Sequence, residues 1–293
     1  MKALLLFLAL FISSCISNPS LHERKGLADE LAQQNGWGKS TLNAGLFNLA
    51  AYYPSRITYS DNLTIYIEGD GFSWVTPSQP SSNPTPVNPV GLKLALAHND
   101  GNAAYLARPC QYVGEQDSNC HRRYWTSHRF SPEVIASSSG AIDKLKTHFK
   151  ARSLTLVGYS GGAAVAALLA AGRGDVAKLI TVAGNLDHDA WTRHHKVTPL
   201  TGSQNPADAY KALMSIPQIH FVGVNDTIVP PYIVEGFVSR FGGRNSVHFV
   251  TVPDYSHHCC WVKSWQEIWA RYVQAGTINP LSNLAVGTPS LYR

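Results

Sequence analysis

Hydrophobic residues in this chain form short strand-like runs that alternate with longer helix-like segments. The runs at residues 63–71, 153–160 and 177–185 ("LTIYIEGDG", "SLTLVGYS" and "AKLITVAGN") are apolar and end in glycine or polar residues. Continuous apolar runs of this length indicate strands buried on both faces. Four further strands are predicted at residues 92–100 ("LKLALAHND"), 103–109 ("AAYLARP"), 219–226 ("IHFVGVND") and 247–254 ("VHFVTVPD").

Three segments have helical character. Residues 131–149 ("SPEVIASSSGAIDKLKTHF") begin with Ser131 and with Pro132 at the first helical position. Residues 161–172 ("GGAAVAALLAAG") and the amphipathic residues 261–273 supply two more helices. Strands that alternate with helices predict an α/β fold in which a mostly parallel central sheet has helices on both faces. Ligands of such open sheets bind at the carboxyl ends of the strands.

The first fifteen residues have the pattern of an export signal. One lysine precedes the apolar residues 3–12, a run too short to span a membrane, and small residues then lead to Cys15. The segment "ISSC" is typical of a bacterial lipobox, which predicts a signal peptide over residues 1–15 and a lipidated Cys15 that anchors the protein to a membrane. An ordinary signal peptide with an incidental cysteine is the alternative. In a Gram-negative host, Ile16 after the cysteine would favour the periplasmic side of the outer membrane.

Length and composition indicate one folded domain. We predict a polar tether at residues 16–25, a single α/β domain over residues 26–280 and an irregular tail at residues 281–293. With 44% hydrophobic and 15% charged residues, the chain can bury a substantial core. The net charge of +5 is not concentrated in a dense Lys/Arg cluster, so no nucleic-acid partner is expected.

Four cysteines follow the signal region. Cys110 and Cys120 enclose the short polar loop "CQYVGEQDSNC", and for an exported protein this favours a disulfide between them. Cys259 and Cys260 would then form a vicinal disulfide or remain as two thiols. Zinc binding is a weaker alternative, because the nearby histidines do not have zinc-finger spacing.

The segment "GYSGG" places Ser160 in the pattern G-x-S-x-G. A nucleophilic serine between a strand and a helix adopts a tight backbone conformation, and its neighbours two residues away must be small. Gly158 and Gly162 meet this need, and the predicted strand and helix lie on the correct sides. The helix N-terminus would favour developing negative charge at the serine. A structural glycine-rich turn, the alternative, would not require serine at its centre.

A nucleophilic serine needs a base and an acid that orients the base. Asp226 follows one predicted strand and His257 follows the next, in the chain order Ser, Asp, His. Asp187 and Asp254 are the competing acids, and Asp254 could instead orient a histidine. His258 is the competing base, but we expect it to pack against the closing helix.

The negatively charged oxygen of an acyl-transfer intermediate requires preorganised N–H donors. We predict the backbone N–H of Gly161 as the first donor. The second is expected from the main chain of Asp70 or Gly71 in "IEGDGFSW", where glycines permit close approach; a plain turn is the alternative. The Pro/Ser/Asn-rich residues 76–91 follow directly and either cover the site or form a surface loop.

Together these motifs resemble the α/β-hydrolase fold over about residues 40–275. More narrowly, "IEGDGFSW", "YLARPCQY", "YWTSHRFSPEVI", "GYSGGAAVAALLAA", "VAGNLDHDAWT" and "HHCCW" are similar to a family of bacterial exported α/β hydrolases. The resemblance implies the roles already assigned to Ser160, Asp226 and His257, and implies no particular substrate. The chain differs from lipases where "EGDG" replaces a His-Gly start.

The sequence thus predicts a serine hydrolase that cleaves small-molecule or lipid-like carboxylic esters through an acyl-enzyme. This chemistry needs no metal and no organic cofactor. Peptide or amide cleavage, or acyl transfer, by the same three residues is the enzymatic alternative. A non-catalytic envelope lipoprotein that uses the fold for binding is the alternative of another class.

Overall fold

The computed structural model describes residues 18–58, 60–113 and 118–275. Cys15, the signal peptide and the predicted tail at 281–293 lie outside the described residues. In the described part, no helix combines the length and the apolar character that crossing a bilayer requires.

An eight-stranded sheet forms the centre of the molecule. In chain order its strands are β1 (Trp37–Ala44), β2 (Phe47–Pro54), β3 (Asn62–Ile67), β6 (Asn102–Leu106), β7 (Ser153–Tyr159), β8 (Val176–Val182), β9 (Gln218–Gly223) and β10 (Val247–Val252); β4 (Trp74–Thr76) and β5 (Gln79–Pro80) make a separate small hairpin. The spatial order is β1-β2-β6-β3-β7-β8-β9-β10. The pairs β1–β2 and β2–β6 are antiparallel and the others parallel, which confirms the predicted mostly parallel sheet.

Helices cover both faces of the sheet. They are α1 (Leu21–Gln34), α2 (Val90–Leu96), α3 (Pro132–Phe149), α4 (Gly161–Gly172), α5 (His188–His195), α6 (Pro231–Ser239) and α7 (Trp265–Ile268), which continues as a π-helical segment over Trp269–Gln274; Arg122–Trp125 and Pro206–Leu213 form 3-10 helices.

Helix α1 begins inside residues 16–25, the range predicted as a tether. Ser20 and Glu23 form a capping box, in which each side chain accepts a hydrogen bond from the other residue's backbone N–H. Residues 21–25 are therefore helical, and the side chain of Arg24 is buried against the carbonyl oxygens of Asn83 and Thr85.

The strands separate two hydrophobic layers. Along β7, Leu154 and Leu156 join the core layer that contains α3, α4 and α6. Val157 and Tyr159 point to the other layer, which contains α1, α2 and the C-terminal helices. Buried side chains on both faces explain why the strand sequences are continuously apolar.

The prediction of a strand at residues 92–100 is wrong, because α2 occupies most of this segment. Its apolar residues are nearly all buried, so hydrophobicity alone does not distinguish helix from strand here. A long-range contact stabilises the helix: the Glu68 carboxyl accepts hydrogen bonds from the backbone N–H groups of Gly91 and Leu92 in the first turn.

The four described cysteines form two pairs. Cys110 is joined to Cys120, with Cα atoms 5.5 Å apart, and Cys259 is joined to its neighbour Cys260. The first pair is the one that the sequence favours. The second pair is the vicinal disulfide, which was one of two alternatives; the other was two free thiols.

Candidate active site

Ser160 lies at a sharp turn between β7 and α4. Its φ is 52° and its ψ is −121°, an unfavourable backbone conformation for a residue with a side chain. The turn exists because its neighbours have no side chains. A Cβ at Gly158 would overlap the backbone of Ala163, and one at Gly162 would overlap the carbonyl oxygens of Ile67 and Glu68. Both glycines are therefore required by close backbone approach.

His257 connects Ser160 to Asp226. The Nε2 atom of His257 lies 2.9 Å from Ser160 Oγ, and its Nδ1 lies 2.9 Å from Asp226 Oδ2. The other carboxylate oxygen of Asp226 accepts hydrogen bonds from the N–H groups of Ile228 and Val229, at 2.9 and 2.8 Å. Asp226 and His257 are only 3% and 4% exposed. The structure thus brings all three predicted residues into one hydrogen-bonded chain.

The competing residues have other contacts. Asp187 caps α5 by accepting from Ala190 N–H and also accepts from Asn205. Asp254 is exposed, in a turn after β10, with a positive φ of 62°. His258 does not pack against the closing helix as expected. It is exposed, and its Nδ1 lies 2.7 Å from the Tyr159 hydroxyl. Desolvation on the side of the ring that faces Tyr159, and the neighbouring His257, lower its pKa.

The second turn beside Ser160 follows β3 and is anchored by Glu68. One oxygen of this buried carboxyl accepts from Gly69 and Gly91 N–H, and the other from Leu92 N–H and the Tyr105 hydroxyl. Burial raises the pKa of Glu68, although the four hydrogen bonds act to lower it. The carboxyl thus ties the start of the turn to α2 and β6.

The peptide between Gly69 and Asp70 has a fixed orientation. The Gly69 carbonyl accepts a 3.0 Å hydrogen bond from the buried side-chain amide of Gln111. Because the peptide is trans, the Asp70 N–H points the opposite way. A Cβ at Gly69 would lie 3.2 Å from Ser160 Cβ, so this peptide borders the serine. Within the described residues, neither the Asp70 N–H nor the Gly161 N–H has a hydrogen-bond acceptor.

Gly71 has other neighbours. Its φ is +67°, and the atoms nearest to a Cβ there belong to Pro84, Gln111 and Pro86, whereas a Cβ at Gly69 would lie against Ser160. The geometry therefore favours Asp70 over Gly71 as the source of a second N–H donor beside Ser160.

The carboxylate of Asp70 lies against Gly161 and between two arginines. Arg129 Nη1 is 2.6 Å and Arg108 Nη1 is 3.3 Å from its oxygens. Burial alone would raise the pKa of Asp70, but the two guanidinium groups lower it below its usual value. Both arginines are nearly buried, at 4% and 5% exposure. Arg108 also donates to the Arg129 carbonyl oxygen.

A cavity of about 520 Å³ opens above Ser160 and His257. One wall is apolar, and the other carries Asp70, Arg129 and the amide of Asn185. The apolar wall consists of Phe72, Trp74, Pro86, Val87, Ile228 and Val229. Trp191 also lines the cavity, and the Arg129 guanidinium lies over its ring, 5.8 Å from the centroid. Residues 86–88 come from the Pro-rich segment, so part of that segment borders the site. A larger cavity, about 790 Å³, lies between α4 and residues 199–212 and does not include Ser160 or His257.

Sequence reasoning did not identify Glu68, Arg108, Gln111, Arg129 or Asn185. Three of their contacts with the loop after β3 span 38, 42 and 59 residues. Asn185 had a usable signal, since it ends the strand-like "AKLITVAGN", and polar residues at strand ends face the binding side of the sheet.

The fold and the hydrogen-bonded serine at a strand–helix turn define an α/β hydrolase. Residues 89–254 match the family described as serine hydrolase (FSH1). The chain belongs to this family and is an esterase-like serine hydrolase. No curated protein matches it.

Solved structures with the same fold cover most of the chain. An α/β serine hydrolase homologue from Coxiella burnetii is 18% identical, with a TM-score of 0.55 over 80% of this chain and 97% of that chain. A putative dienelactone hydrolase from Klebsiella pneumoniae is 17% identical, with a TM-score of 0.56 over 81% and 98%. Est1E from Butyrivibrio proteoclasticus is 15% identical, with a TM-score of 0.58 over 81% and 98%. At these identities the likeness concerns the fold.

Proposed function

We propose that this protein hydrolyses carboxylic esters through an acyl-enzyme formed on Ser160. The observation that carries the proposal is the position of His257, within 2.9 Å of both Ser160 Oγ and Asp226 Oδ2. Neutral His257 takes the hydroxyl proton as Ser160 attacks the ester carbonyl. Asp226 holds the ring and stabilises the imidazolium. The imidazolium then protonates the departing alcohol, and His257 activates a water that releases the acid.

The Gly161 and Asp70 N–H groups act as the oxyanion hole. Both border Ser160, and neither has another acceptor among the described residues. Gln111 and Glu68 fix the loop in advance, so little reorganisation is needed when charge develops on the carbonyl oxygen. Removing one such donor typically costs about 10²–10³ in kcat.

An ester substrate with an apolar part fits the cavity. Apolar side chains form one wall, and Trp74, Val87 and Ile228 are 36–40% exposed at its edge.

Labelling with a fluorophosphonate probe tests the chemistry directly. We expect stoichiometric modification of Ser160, located by peptide mass spectrometry, and no labelling of Ser160→Ala. A series of chromogenic esters with increasing acyl length then measures turnover. An unlabelled, correctly folded wild-type protein that cleaves no ester would refute the proposal and would favour a binding role for the fold.

We also propose that the enzyme is exported and anchored to the bacterial cell envelope through lipid on Cys15. The support is the "ISSC" segment after an apolar run. Cys15→Ser should release the protein from membranes in a fractionation experiment. A mature wild-type chain that is soluble and starts with an unmodified residue beyond position 15 would contradict the anchor.

A further inference from the structure

The polar wall of the cavity contains a charged group that the hydrolytic chemistry does not use. Arg129 is 5% exposed and borders the cavity together with Ser160. Its Nε donates to the Thr126 carbonyl at 2.8 Å, and its Nη1 binds Asp70. In the described part of the chain, no hydrogen-bond partner contacts the remaining nitrogen, Nη2. One edge of a nearly buried guanidinium is therefore available to a molecule in the cavity.

The local charge around Arg129 is positive. Two guanidinium groups, Arg108 and Arg129, share the single carboxylate of Asp70. The other acid at the cavity is Glu68, and its hydrogen bonds go to backbone N–H groups and Tyr105 rather than to either arginine. A buried guanidinium with incomplete pairing is costly, and a carboxylate matches its planar donor geometry.

A second unpaired polar group lies in the same cavity wall. Asn185 is 3% exposed, and its side-chain oxygen is buried without a hydrogen-bond partner among the described residues. Its backbone N–H donates to the Ser160 carbonyl at 3.1 Å, which fixes it beside the nucleophile. Because this oxygen can only accept hydrogen bonds, a carboxylate near Arg129 would be bound by the NH₂ of the same amide, which donates.

We infer that the preferred ester substrate carries a carboxylate, which binds Arg129 while the ester carbonyl lies at Ser160. This inference rests on the proposed function and names the substrate class of that same site. The Asp70 carboxylate contacts both Arg129 and Gly161, so these two residues are close together. The anionic group and the reacting carbonyl therefore belong to one small molecule. The apolar wall, including Phe72 and Val229, contacts the carbon chain that joins the carboxylate to the ester or that continues beyond the ester.

Matched pairs of esters test the inference. Monomethyl adipate and methyl hexanoate have the same acyl length and differ in the terminal carboxylate. The pair 5-(butanoyloxy)pentanoate and pentyl butanoate places the carboxylate on the alcohol side instead. We expect kcat/KM to favour the anionic member of at least one pair by about 10- to 100-fold, the range for a hydrogen bond to a charged group. The pair that shows this preference identifies which side of the ester faces Arg129.

Arg129→Gln should reduce that preference about tenfold or more, whatever its effect on overall turnover, since the readout is the ratio between the two esters. Arg122→Gln is the matched control, because Arg122 is exposed and lies in the same segment. It should leave the ratio unchanged. Equal kcat/KM for both members of both pairs, or a preference that persists in Arg129→Gln, would overturn the inference.

Calorimetry separates this inference from the proposed function. Ser160→Ala protein should bind monomethyl adipate, or the anionic ester of the second pair, about tenfold or more tightly than its neutral counterpart. Adding Arg129→Gln should remove the difference. If the wild-type protein cleaves no ester but this difference is present, the proposed function fails and the anion site stands. If esters are cleaved without any anionic preference in binding or turnover, only the anion site fails.

Discussion

The two turns that meet at Ser160 are stabilised in different ways. The turn between β7 and α4 is made possible by its own two glycines, because Gly158 allows close approach to Ala163 and Gly162 allows close approach to the end of β3. The turn after β3 depends on distant residues: Glu68 binds the start of α2, and Gln111 orients the Gly69 carbonyl. Local motifs thus indicate where the nucleophile and the oxyanion loop lie, whereas the residues that hold the oxyanion loop in place are distant in the chain.

The largest effect is expected at the residues that react. Ser160→Ala and His257→Ala should each lower kcat for a chromogenic ester by about 10⁴- to 10⁶-fold, because the two act as a unit. The double variant should be no worse than either single one. Steady-state kinetics with circular dichroism as a folding control measures this. A folded His257→Ala enzyme with more than a tenth of wild-type turnover would contradict the assignment.

Gly162 tests the turn between β7 and α4. In Gly162→Ala the new Cβ would overlap the carbonyl oxygens of Ile67 and Glu68, which are backbone atoms and cannot rotate away. We expect a loss of about 3 kcal/mol or more in unfolding free energy, together with activity. Gly172→Ala is the control at the other end of α4. A Cβ there meets nothing within 4 Å, so urea denaturation should show unchanged or slightly higher stability.

The sequence predicted the parts of the fold that are encoded locally. Strands β3, β6, β7, β8, β9 and β10 and helices α3 and α4 carry clear hydrophobic patterns and were predicted. The helix predicted over residues 261–273 begins only at Trp265, because residues 261–264 form turns. The antiparallel hairpin of β1 and β2 at the sheet edge was not anticipated. Strand β1 is largely polar and mostly exposed, so its sequence resembles a surface loop. Strand β2 ("FNLAAYYP") is mostly buried and carries an apolar run that could have indicated a strand.

The residues of the site also divide into those that a local motif identifies and those that only the folded chain brings together. Ser160, Asp226 and His257 follow motif and chain order, and the structure brings them together, although their catalytic role stays a prediction. Arg108 and Arg129 lie in segments with no recognisable motif, and only tertiary folding brings them to Asp70. The orientation of His258 was predicted wrongly, because its ring is hydrogen-bonded to Tyr159 on β7 instead of packing against the closing helix.

Asp70 tests the distant contacts of the second turn. Its pKa is lowered by Arg129 and Arg108 below the value of an unfolded chain, near 3.9. The stability that it contributes is therefore present above about pH 4 and is lost as the pH falls through the folded-state pKa. Asp70→Asn should cost about 3 kcal/mol at pH 7, because two buried guanidinium groups lose their partner.

Urea denaturation of wild-type and Asp70→Asn protein from pH 7 to pH 2.5 measures this difference. The two unfolding free energies should converge as the pH falls below 4. A difference that stays constant across this range would show that Asp70 stabilises the loop by packing rather than by charge.

Glu68 tests whether the second turn supplies an oxyanion donor. Glu68→Gln keeps one acceptor oxygen and replaces the other by an NH₂, which in either orientation faces groups that donate to Glu68, either Gly69 and Gly91 or Leu92 and Tyr105. We expect kcat to fall about 10- to 100-fold with a smaller change in KM, since the affected donor acts in the transition state. Glu235→Gln, at an exposed position of α6, should change neither constant. A higher KM at unchanged kcat would assign Glu68 to substrate binding instead.

The smallest effect is expected at His258, which lies beside both turns and belongs to neither. Its exposed ring is hydrogen-bonded to the Tyr159 hydroxyl, and that hydroxyl also donates to the His257 carbonyl. His258→Ala removes one of these two contacts and leaves the other, so the backbone at His257 keeps its anchor. We expect kcat/KM to stay within about fivefold of wild type and unfolding free energy within about 1 kcal/mol. Tyr159→Phe removes both contacts and should lower both kcat/KM and the unfolding free energy more than His258→Ala does. If His258→Ala instead abolished turnover in a folded protein while His257→Ala remained active, the base would be the second histidine.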